Sequence, residues 1–540
     1  MLSAPVGSPQ LQGLLLRDHT LHGGILYGLE GYVIEVQARA FEVLPRPIAW
    51  RSATQITGMA MGAIGESLAR ITGAFAKCQI PNPQVKILIN LAPADLLKEG
   101  TWLDLPIAII MLQAAGMLPD LPEQAESDYV LMGELGIHGE VRRVPGALSL
   151  AYQAKPGQKI IVPHGNEKEC LLILAKEGHE GCGVFPVDSV ADVIGFFQGT
   201  KKLENALKQR VDFEEAIPKS VDFGRIRGQA RAKRAATICA AGGHNMLMIG
   251  PPGEGKSLLA SALPGILPKL GNEEKVLLTK IYSASGALER DGMAVTRRPF
   301  RAVHSTASLA AVIGGGAGIP RPGEITLAHL GVLFLDEIAE FNRSTLESMR
   351  QPIEAGEVTI SRSKASLTFP SRFTLLAAMN PCPCGYFGSD RCRCLPKEVK
   401  KYQEKLSGPI VDRIDLQVEL ERLSLEERFA ATEEDVSPRL RKTVEAARKM
   451  QAERFEGTSI PFNAAIPGGS VRDYCNFSDA GFEQYKATIE GSRLSTRSMD
   501  RLAKVTRTIA DLERDQQIDQ QHVVEAASFV TGGMLRENLS

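Results

Sequence analysis

The sequence predicts an α/β protein of three parts: a mixed α/β block, a nucleotide-binding core on a parallel sheet, and a helical C-terminal region. Three observations lead to this prediction. A Gly-rich motif at 250–257 follows an apolar run and precedes a helix-forming stretch, which is the context of a phosphate-binding loop. Strand and helix patterns alternate from 221 to about 420. From 421 onward, the spacing of apolar residues is typical of amphipathic helices.

The composition excludes several classes of protein. A chain of 540 residues is long enough for about three domains, and its 44% of hydrophobic residues excludes wholesale disorder. The 62 Lys and Arg residues nearly balance the 63 Asp and Glu residues, so any nucleic-acid surface must be local. The longest apolar stretch, 105–118, is too short to span a bilayer, and the first residues do not form a secretory signal. We therefore expect a cytoplasmic protein without a membrane helix.

The organisation follows from the places where these patterns change. We expect an extension at 1–20, the mixed block at 21–199, a charged linker at 200–220, the core at 221–420 and a helical lid at 421–540. Within the block, alternation or a short apolar run predicts strands, whereas length and spacing predict helices. The predicted strands are 32–38 and 85–91, the predicted helices are 54–78 and 105–117, and 129–144 is a predicted hairpin.

The motif at 250–257 indicates ATP binding. Its glycines let backbone N–H groups turn toward phosphate oxygens, Lys256 can reach the β and γ phosphates, and the Ser257 hydroxyl can bind Mg²⁺. A chance Gly-rich turn is the alternative, but the strand before it and the helix after it argue against that interpretation. The motif comprises Gly250, Pro251, Pro252, Gly253, Glu254, Gly255, Lys256 and Ser257.

A second motif, GVLFLDE at 331–337, supplies acidic groups. Its apolar residues predict a central strand, and Asp336 and Glu337 follow at the carboxyl end, where ligands bind in parallel α/β sheets. We expect Asp336 to hold the Mg²⁺ shell and Glu337 to polarise the attacking water. Taken alone, such a pair is as often a helix N-terminus, where anions are favoured. A further apolar run, 373–379, predicts a strand that ends at Asn380.

Four cysteines cluster just after Asn380. Thiolates at this spacing can bind Zn²⁺ tetrahedrally, so the cluster predicts a structural metal site in a reducing compartment. The C-x-C spacing is tighter than the common C-x₂-C, and a flexible loop of reduced cysteines is the alternative. The residues are Cys382, Cys384, Cys392 and Cys394.

Together these motifs resemble the magnesium-chelatase-like AAA+ ATPases, and within that family the ComM/YifB type of natural transformation. GPPGEGKS, GVLFLDE, AAMNPCPCG and SGPIVDRID (407–415) carry the resemblance, which covers about 20–535. It implies a P-loop AAA+ core with a helical lid, and ATP and Mg²⁺ as cofactors. It also implies a hexameric, ATP-driven helicase that acts on single-stranded or branched DNA to promote branch migration.

The resemblance assigns roles at the nucleotide. Arg413 matches the arginine finger that reaches the γ-phosphate of the neighbouring subunit, and Arg497 matches the sensor-2 arginine of the lid, with Arg501 one turn later as a competitor. A cation facing a transferring phosphoryl group stabilises its charge. Asn380 would orient the lytic water, although a strand-ending Asn is usually a turn former.

The resemblance also indicates where DNA would bind. Residues 358–369 alternate apolar and polar on both sides of a basic tip, which predicts a hairpin. In the wider clade a hairpin at this position projects into the pore of the ring, so Arg362 and Lys364 would contact DNA phosphates. An ordinary solvated hairpin is the alternative. Arg301, Arg321 and the segment 314–324 are weaker candidates for the same pore.

The N-terminal block resembles the S5/Lon-protease-like domain. The position that matches the nucleophilic serine of Lon-type proteases is Trp102, and the matching downstream segment, 133–151, contains no lysine. A Ser–Lys dyad needs both a hydroxyl and an amine base. The block is therefore expected to serve for positioning or partner contact, with no peptidase activity.

Three other functions compete with the DNA motor. A magnesium-chelatase-type ATPase would drive metal insertion through a partner subunit and would ignore DNA. A scaffold without catalysis conflicts with the intact nucleotide motifs, and an ATP-dependent protease lacks its dyad.

Overall fold

Two β-sheets and a set of C-terminal helices make up the described part of the chain. The structure is a computed structural model, and it describes residues 17–58, 62–120, 128–174, 178–208, 221–288, 294–316, 318–362, 365–406, 408–429 and 431–531. Within these residues, no helix has both the length and the apolar character needed to cross a membrane.

A mixed sheet organises the N-terminal block. Its strands and those of a small hairpin are β1 (Asp18–Tyr27), β2 (Glu30–Val43), β3 (Thr54–Thr57), β4 (Val85–Ala92), β5 (Tyr129–Leu131), β6 (Glu134–Leu135), β7 (Val141–Arg142), β8 (Lys159–Pro163) and β9 (Gly183–Val187). In the described residues the sheet has the order β3-β4-β2-β1-β5-β8-β9, and β6 pairs with β7. Strand β2 runs antiparallel to β1 and β4, and the other pairs are parallel.

Helices lie on both faces of this sheet, since a Cβ at Gly23 would meet Leu103 and a Cβ at the adjacent Gly24 would meet Leu150. The helix α3 (Asp104–Ala114) is buried along its whole length because it packs against β1 and β2, which direct alternate apolar side chains such as Ile34 and Val36 toward it. The helices of the block are α1 (Trp50–Ala53), α2 (Gly62–Lys77), α3 (Asp104–Ala114), α4 (Ala147–Tyr152), α5 (Glu167–Leu174) and α6 (Val190–Phe197).

Two predictions for this block were wrong in part. The predicted helix 54–78 begins only at Gly62, because residues 54–57 add an edge strand parallel to β4 and Gly58, with φ +99°, ends that strand. The predicted hairpin at 129–144 is split, since β5 joins the main sheet between β1 and β8. The predicted strands 32–38 and 85–91 and the predicted helix 105–117 are confirmed by β2, β4 and α3.

A five-stranded parallel sheet organises the core. The strands of the core region are β10 (Met246–Ile249), β11 (Phe300–Val303), β12 (Gly314–Gly315), β13 (Arg321–Pro322), β14 (Val332–Leu335), β15 (Glu357–Ser361), β16 (Ser366–Pro370), β17 (Thr374–Met379) and β18 (Leu416–Glu419). The sheet has the order β11-β14-β17-β10-β18 with every pair parallel. All residues of β10, β14 and β17 are buried, as expected for a sheet covered on both faces.

Helices and two hairpins surround the core sheet. The helices are α7 (Ala230–Gly242), α8 (Lys256–Ala262), α9 (Asn272–Ser285), α10 (Leu309–Ile313), α11 (Glu324–Leu327), α12 (Arg343–Ser348), α13 (Arg350–Ala355), α14 (Pro396–Gln403), α15 (Gly408–Val411) and α16 (Leu425–Phe429). The hairpins β12–β13 and β15–β16 pack against each other. Their contact is so close that a Cβ added to Gly314 would lie 2.6 Å from Ile360 Cδ1.

The C-terminal region is helical, as predicted. Its helices are α17 (Val436–Arg454), α18 (Val471–Tyr474), α19 (Asp479–Ser492), α20 (Thr496–Glu513) and α21 (Gln520–Val530). It packs against α7 and the start of β10, where Gln451 donates to the Ala241 carbonyl at 3.0 Å and Thr508 Oγ1 lies 2.8 Å from His244 Nε2. This region therefore contacts the amino ends of the core strands.

A buried carboxylate joins the N-terminal block to the core. Glu169 on α5 is 1% exposed and accepts hydrogen bonds from Ser283 on α9 and from the Leu148 amide. Burial raises the pKa of Glu169, which these hydrogen bonds oppose. At the edge of the same contact, Lys280 pairs with Glu30 at 2.7 Å.

Candidate nucleotide site and its surroundings

Three polar groups meet at the carboxyl edge of the core sheet. The loop at 250–255 follows β10, Asp336 follows β14, and Asn380 follows β17, which lies between the other two strands. Parallel strands place their carboxyl ends on one edge, so these groups converge as predicted. Gly253 and Gly255 have φ of +83° and +92°, which only glycine adopts at little cost, so the loop can turn its N–H groups inward.

Lys256 lies inside this loop. Its ammonium group donates to the Pro251 carbonyl at 2.9 Å and to Asn380 Oδ1 at 3.1 Å, so the loop and the tip of β17 are held together. Burial lowers the pKa of Lys256, and the nearby carboxylates of Asp336 and Glu337 oppose that shift. A buried cation at the floor of a Gly-rich loop suits a phosphate group.

The acidic pair lies opposite the loop. Ser257 Oγ donates to Asp336 Oδ2 at 3.1 Å, so the two oxygens that were predicted to bind Mg²⁺ are already in contact. Glu337 is exposed and has φ +50°, a left-handed conformation that costs on the order of 1 kcal/mol for a residue with a Cβ. Its amide donates to Asp336 Oδ1 at 3.0 Å, which fixes the turn between the two carboxylates.

Two contacts that brace the loop were missed by the sequence analysis. Glu254 is buried and pairs with Arg428 on α16 at 2.8 Å. Gly385, in the cysteine segment, lies so close to the loop that a Cβ there would be 2.8 Å from Pro252 Cδ. Neither contact leaves a signal in the sequence, because both join segments that lie far apart in the chain.

The candidate arginine finger lies at the opposite edge of the sheet. The Arg413 carbonyl accepts a hydrogen bond from Asn245 Nδ2 at 3.0 Å, and Asn245 immediately precedes β10. From Asn245 to Gly250 the strand spans roughly 16 Å at about 3.3 Å per residue. The Arg413 guanidinium pairs with Glu354 at 2.6 Å. Arg413 is therefore remote from the loop of its own chain.

The structure separates the two sensor-2 candidates. Arg501 is 5% exposed, and its guanidinium donates to the Ile414 carbonyl at 2.6 Å and to Ser498 Oγ at 2.8 Å. It therefore anchors α20 to the segment that carries Arg413. Arg497 is exposed and lies one turn earlier on the same helix, near the same edge of the sheet.

The four clustered cysteines converge. Their sulfur atoms lie within 4.8 Å of one another, with Cys382–Cys384 at 3.3 Å, Cys382–Cys392 at 3.9 Å and Cys384–Cys392 at 3.8 Å. A tetrahedral Zn²⁺ with bonds of about 2.3 Å requires S–S distances of roughly 3.8 Å, so the donor set fits this metal. Backbone hydrogen bonds from Arg393 and Tyr386 lower the pKa of Cys384 to about 6, which favours its thiolate.

The predicted hairpin is confirmed, whereas the role of its tip stays a prediction. Strands β15 and β16 pair from Glu357↔Pro370 to Ser361↔Ser366. Arg362 is exposed, and its Nη2 would lie 3.2 Å from a Cβ at Gly315 on the other hairpin. Lys364 lies outside the described residues. Arg301, a weaker candidate for DNA contact, is held by Glu324 at 2.6 Å.

The sheet order, the Gly-rich loop and the acidic pair define a P-loop protein of the AAA+ class. Residues 222–428 match the family described as magnesium chelatase, subunit ChlI. Residues 49–166 match subunit ChlI of Mg-chelatase, and 434–529 match the ChlI C-terminal family.

Individual relatives agree with these matches. The chain is 42% identical over 477 residues to the uncharacterized protein YifB of Salmonella typhimurium, which covers 88% of this chain and 90% of the relative. It is 37% identical over 493 residues to competence protein ComM of Haemophilus influenzae, which covers 90% of this chain and 93% of the relative. Lon protease 2 of Bacillus subtilis is 26% identical over 258 residues, or 42% of this chain and 46% of the relative.

The chain belongs to the ComM/YifB type of magnesium-chelatase-like AAA+ proteins. Membership in this family of ATPases implies ATP and Mg²⁺ as ligands and an oligomeric assembly.

Lys256→Ala and Glu337→Gln are expected to stop ATP turnover for different reasons. Loss of the Lys256 cation removes a phosphate contact, so nucleotide binding should weaken. Loss of the Glu337 carboxylate should leave binding intact and slow hydrolysis by about 10²-fold or more, the range of a general base. Binding of a fluorescent ATP analogue and phosphate release would be measured on both variants.

Glu340→Gln is the matched control, because Glu340 is an exposed carboxylate three residues away that pairs with Lys405 at 3.0 Å. Hydrolysis by Glu337→Gln at the rate of this control would contradict the role of Glu337.

Proposed function

We propose that this AAA+ ATPase works as a hexameric ring on DNA, as a helicase that drives branch migration while incoming DNA is integrated during natural transformation. One observation supports the ring: Lys256 lies at the carboxyl ends of the core strands and Arg413 lies at their amino ends. A single chain therefore holds two half-sites that face away from each other, and a second copy is needed to complete either one.

The arginines fit this arrangement. Arg413 would approach the γ-phosphate bound by the next subunit, and its pairing with Glu354 keeps the guanidinium in place until then. Arg497 would serve the same neighbouring site, because Arg501 fixes its helix to the Arg413 segment. Bound ATP would supply the phosphate that is hydrolysed, and Mg²⁺ would neutralise its charge. Ser257 and Asp336 would hold the metal, Glu337 would polarise the attacking water and Asn380 would orient it.

Two observations support DNA as the substrate: the basic tip of the hairpin β15–β16 and the name of one relative. The tip at 362–364 is basic, whereas the chain as a whole has a net charge of −1, so the positive charge there is a local feature. The hairpin packs on β12–β13, which places a basic segment beside a Gly-rich one. A relative of 37% identity is named a competence protein, which supports the proposed role in natural transformation.

A structural zinc would complete the nucleotide edge. Cys382 is fully buried two residues after Asn380, and Gln403 donates to the carbonyl of the intervening Pro381 at 3.0 Å. Since Gly385 touches Pro252, a metal held by the four thiolates would brace both Asn380 and the phosphate-binding loop.

The magnesium-chelatase-type motor is the second candidate, because the matching families are described by that enzyme's subunit. ATPase activity that rises with single-stranded or branched DNA supports the helicase. Activity that ignores DNA and responds to a tetrapyrrole-modifying partner supports metal insertion.

Mixing two inactive variants tests the composite site. Arg413→Ala alone should lower ATPase activity by about 10³-fold, as expected for an arginine supplied in trans. Mixed with Lys256→Ala, it should recover part of the activity, because some interfaces then combine an intact loop with an intact arginine. Phosphate release would be measured across mixing ratios.

The control mixture is Lys256→Ala with Glu337→Gln. Both changes lie on the same edge, so no interface in that mixture is intact. If mixing Lys256→Ala with Arg413→Ala restores no ATPase activity at any ratio, Arg413 does not act in trans.

Neutralising Arg362 and Lys364 together should weaken DNA binding. Each lost phosphate contact should reduce the slope of log affinity against log salt by about one. Basal ATPase activity should persist, because no group of the phosphate loop has changed, whereas strand separation should fail. The measurement is a salt titration of DNA binding beside wild type.

Arg439→Ala/Lys486→Ala removes the same charge from exposed ion pairs of the C-terminal helices and serves as the control. If the hairpin variant and this control give equal slopes of log affinity against log salt, the hairpin tip does not contact DNA and is an ordinary solvated hairpin.

Zinc content is the third test. Protein purified without added metal should contain about one equivalent of zinc, since structural sites bind tightly. Cys392→Ser/Cys394→Ser should lose the metal and melt at a lower temperature, whereas Cys78→Ser, outside the cluster, should keep it. A metal-free wild-type protein with full stability and activity would contradict the site.

A further inference from the structure

A cavity lies between the core and the C-terminal helices, at the sheet edge opposite the phosphate loop. Its volume is about 250 Å³, and Gly331 and Thr374, at the amino ends of β14 and β17, form part of its wall. The C-terminal region contributes Arg448 from α17 and Phe462. The cavity is therefore separate from the nucleotide site and is shared by two parts of the chain.

Three guanidinium groups line this cavity and only one carboxylate accompanies them. Arg298 is 15% exposed, pairs with Glu274 at 3.2 Å and donates to the Leu330 carbonyl at 2.8 Å. Arg372 and Arg448 line the same space. With Glu274 as the single acidic residue of the wall, the lining carries three positive charges and one negative charge, an excess of two.

The excess charge, on Arg372 and Arg448, has no carboxylate of its own among the residues that the structure describes. Arg448 donates to the Ala240 carbonyl at 2.9 Å and lies 4.7 Å from the centre of the Phe462 ring, but it has no ion pair in this part of the chain. The Arg372 guanidinium has none there either. Burial and the neighbouring Arg298 lower the pKa of Arg448 to about 9. Arg298 and Arg448 are partly buried and Arg372 is exposed, and gathering like charges of which two are partly buried is costly unless an anion joins them.

We infer that this cavity binds a small phosphate-bearing anion. A phosphate dianion matches the excess of two positive charges, and guanidinium groups bind phosphate with paired hydrogen bonds. A monocarboxylate would leave one charge unmatched. Because Arg448 and Phe462 belong to the C-terminal region and Arg298 and Arg372 to the core, the bound anion holds these two parts together. This inference does not rest on ATP hydrolysis or on DNA binding.

Calorimetric titration with inorganic phosphate tests the site. It uses the full chain carrying Lys256→Ala, so that binding in the phosphate loop is suppressed, at constant ionic strength in chloride. Arg448→Gln and Arg372→Gln should each weaken phosphate binding by about tenfold or more, the usual value of a charge-assisted hydrogen bond. Acetate should bind more weakly than phosphate.

Arg441→Gln is the control, because Arg441 lies two turns earlier on α17 and donates to the Gly265 carbonyl at 3.0 Å without lining the cavity. Arg372 is exposed, so Arg372→Gln tests the site even where Arg448→Gln fails to fold. Tighter binding of AMP than of phosphate would assign a nucleotide, and equal binding would assign the free anion. The absence of saturable phosphate binding, or binding that both substitutions leave unchanged, would overturn the inference.

Discussion

The common direction of the five core strands decides where each group of the nucleotide chemistry lies. Their carboxyl ends carry the phosphate loop, Asp336 and Asn380, and their amino ends carry Asn245 and the segment of Arg413. A parallel sheet has two unlike edges, and no side chain reaches across roughly 16 Å from one edge to the other. Within one chain, the phosphate loop and the Arg413 guanidinium therefore cannot meet.

Asn245 is the point at which the arginine edge is fixed to the sheet. Its side chain accepts from the Leu375 amide at 2.9 Å and donates to the Arg413 carbonyl, while its own amide donates to Asp415 at 3.1 Å. Strand β17 runs from this contact to Asn380, which touches Lys256. Because β17 is buried and paired on both sides, it is a rigid connection between the phosphate loop and the segment that carries Arg413.

The sequence was sufficient for the groups that belong to local motifs. Lys256, Asp336 and Asn380 each follow an apolar run, so a parallel sheet brings them together without knowledge of the tertiary structure. The edge strand at 54–57 was missed because four residues with mixed burial carry too little periodicity to outweigh the helix that follows. Contacts between distant segments had no pattern to reveal them. Arg501 was noticed only as a rival of Arg497, and its bond to the Ile414 carbonyl required the fold.

The N-terminal block is explained by what it touches. At the position that matches the protease nucleophile, the Trp102 indole donates to the Pro145 carbonyl at 2.8 Å, so this site serves packing. The same block reaches both hairpins of the core: Glu99 accepts from the Ile319 amide at 2.8 Å, and a Cβ at Gly28 would lie 3.0 Å from Leu367 Cδ1.

These contacts give the block a mechanical role. Any displacement of β12–β13 or β15–β16 must either break the bond of Glu99 and the packing of Leu367 or carry the block with it. Glu169 opposes the second outcome, because its buried carboxylate would lose the Ser283 hydroxyl if the block separated from α9. The block is therefore bonded both to the hairpins and to α9, and these contacts together hold the hairpins against the core.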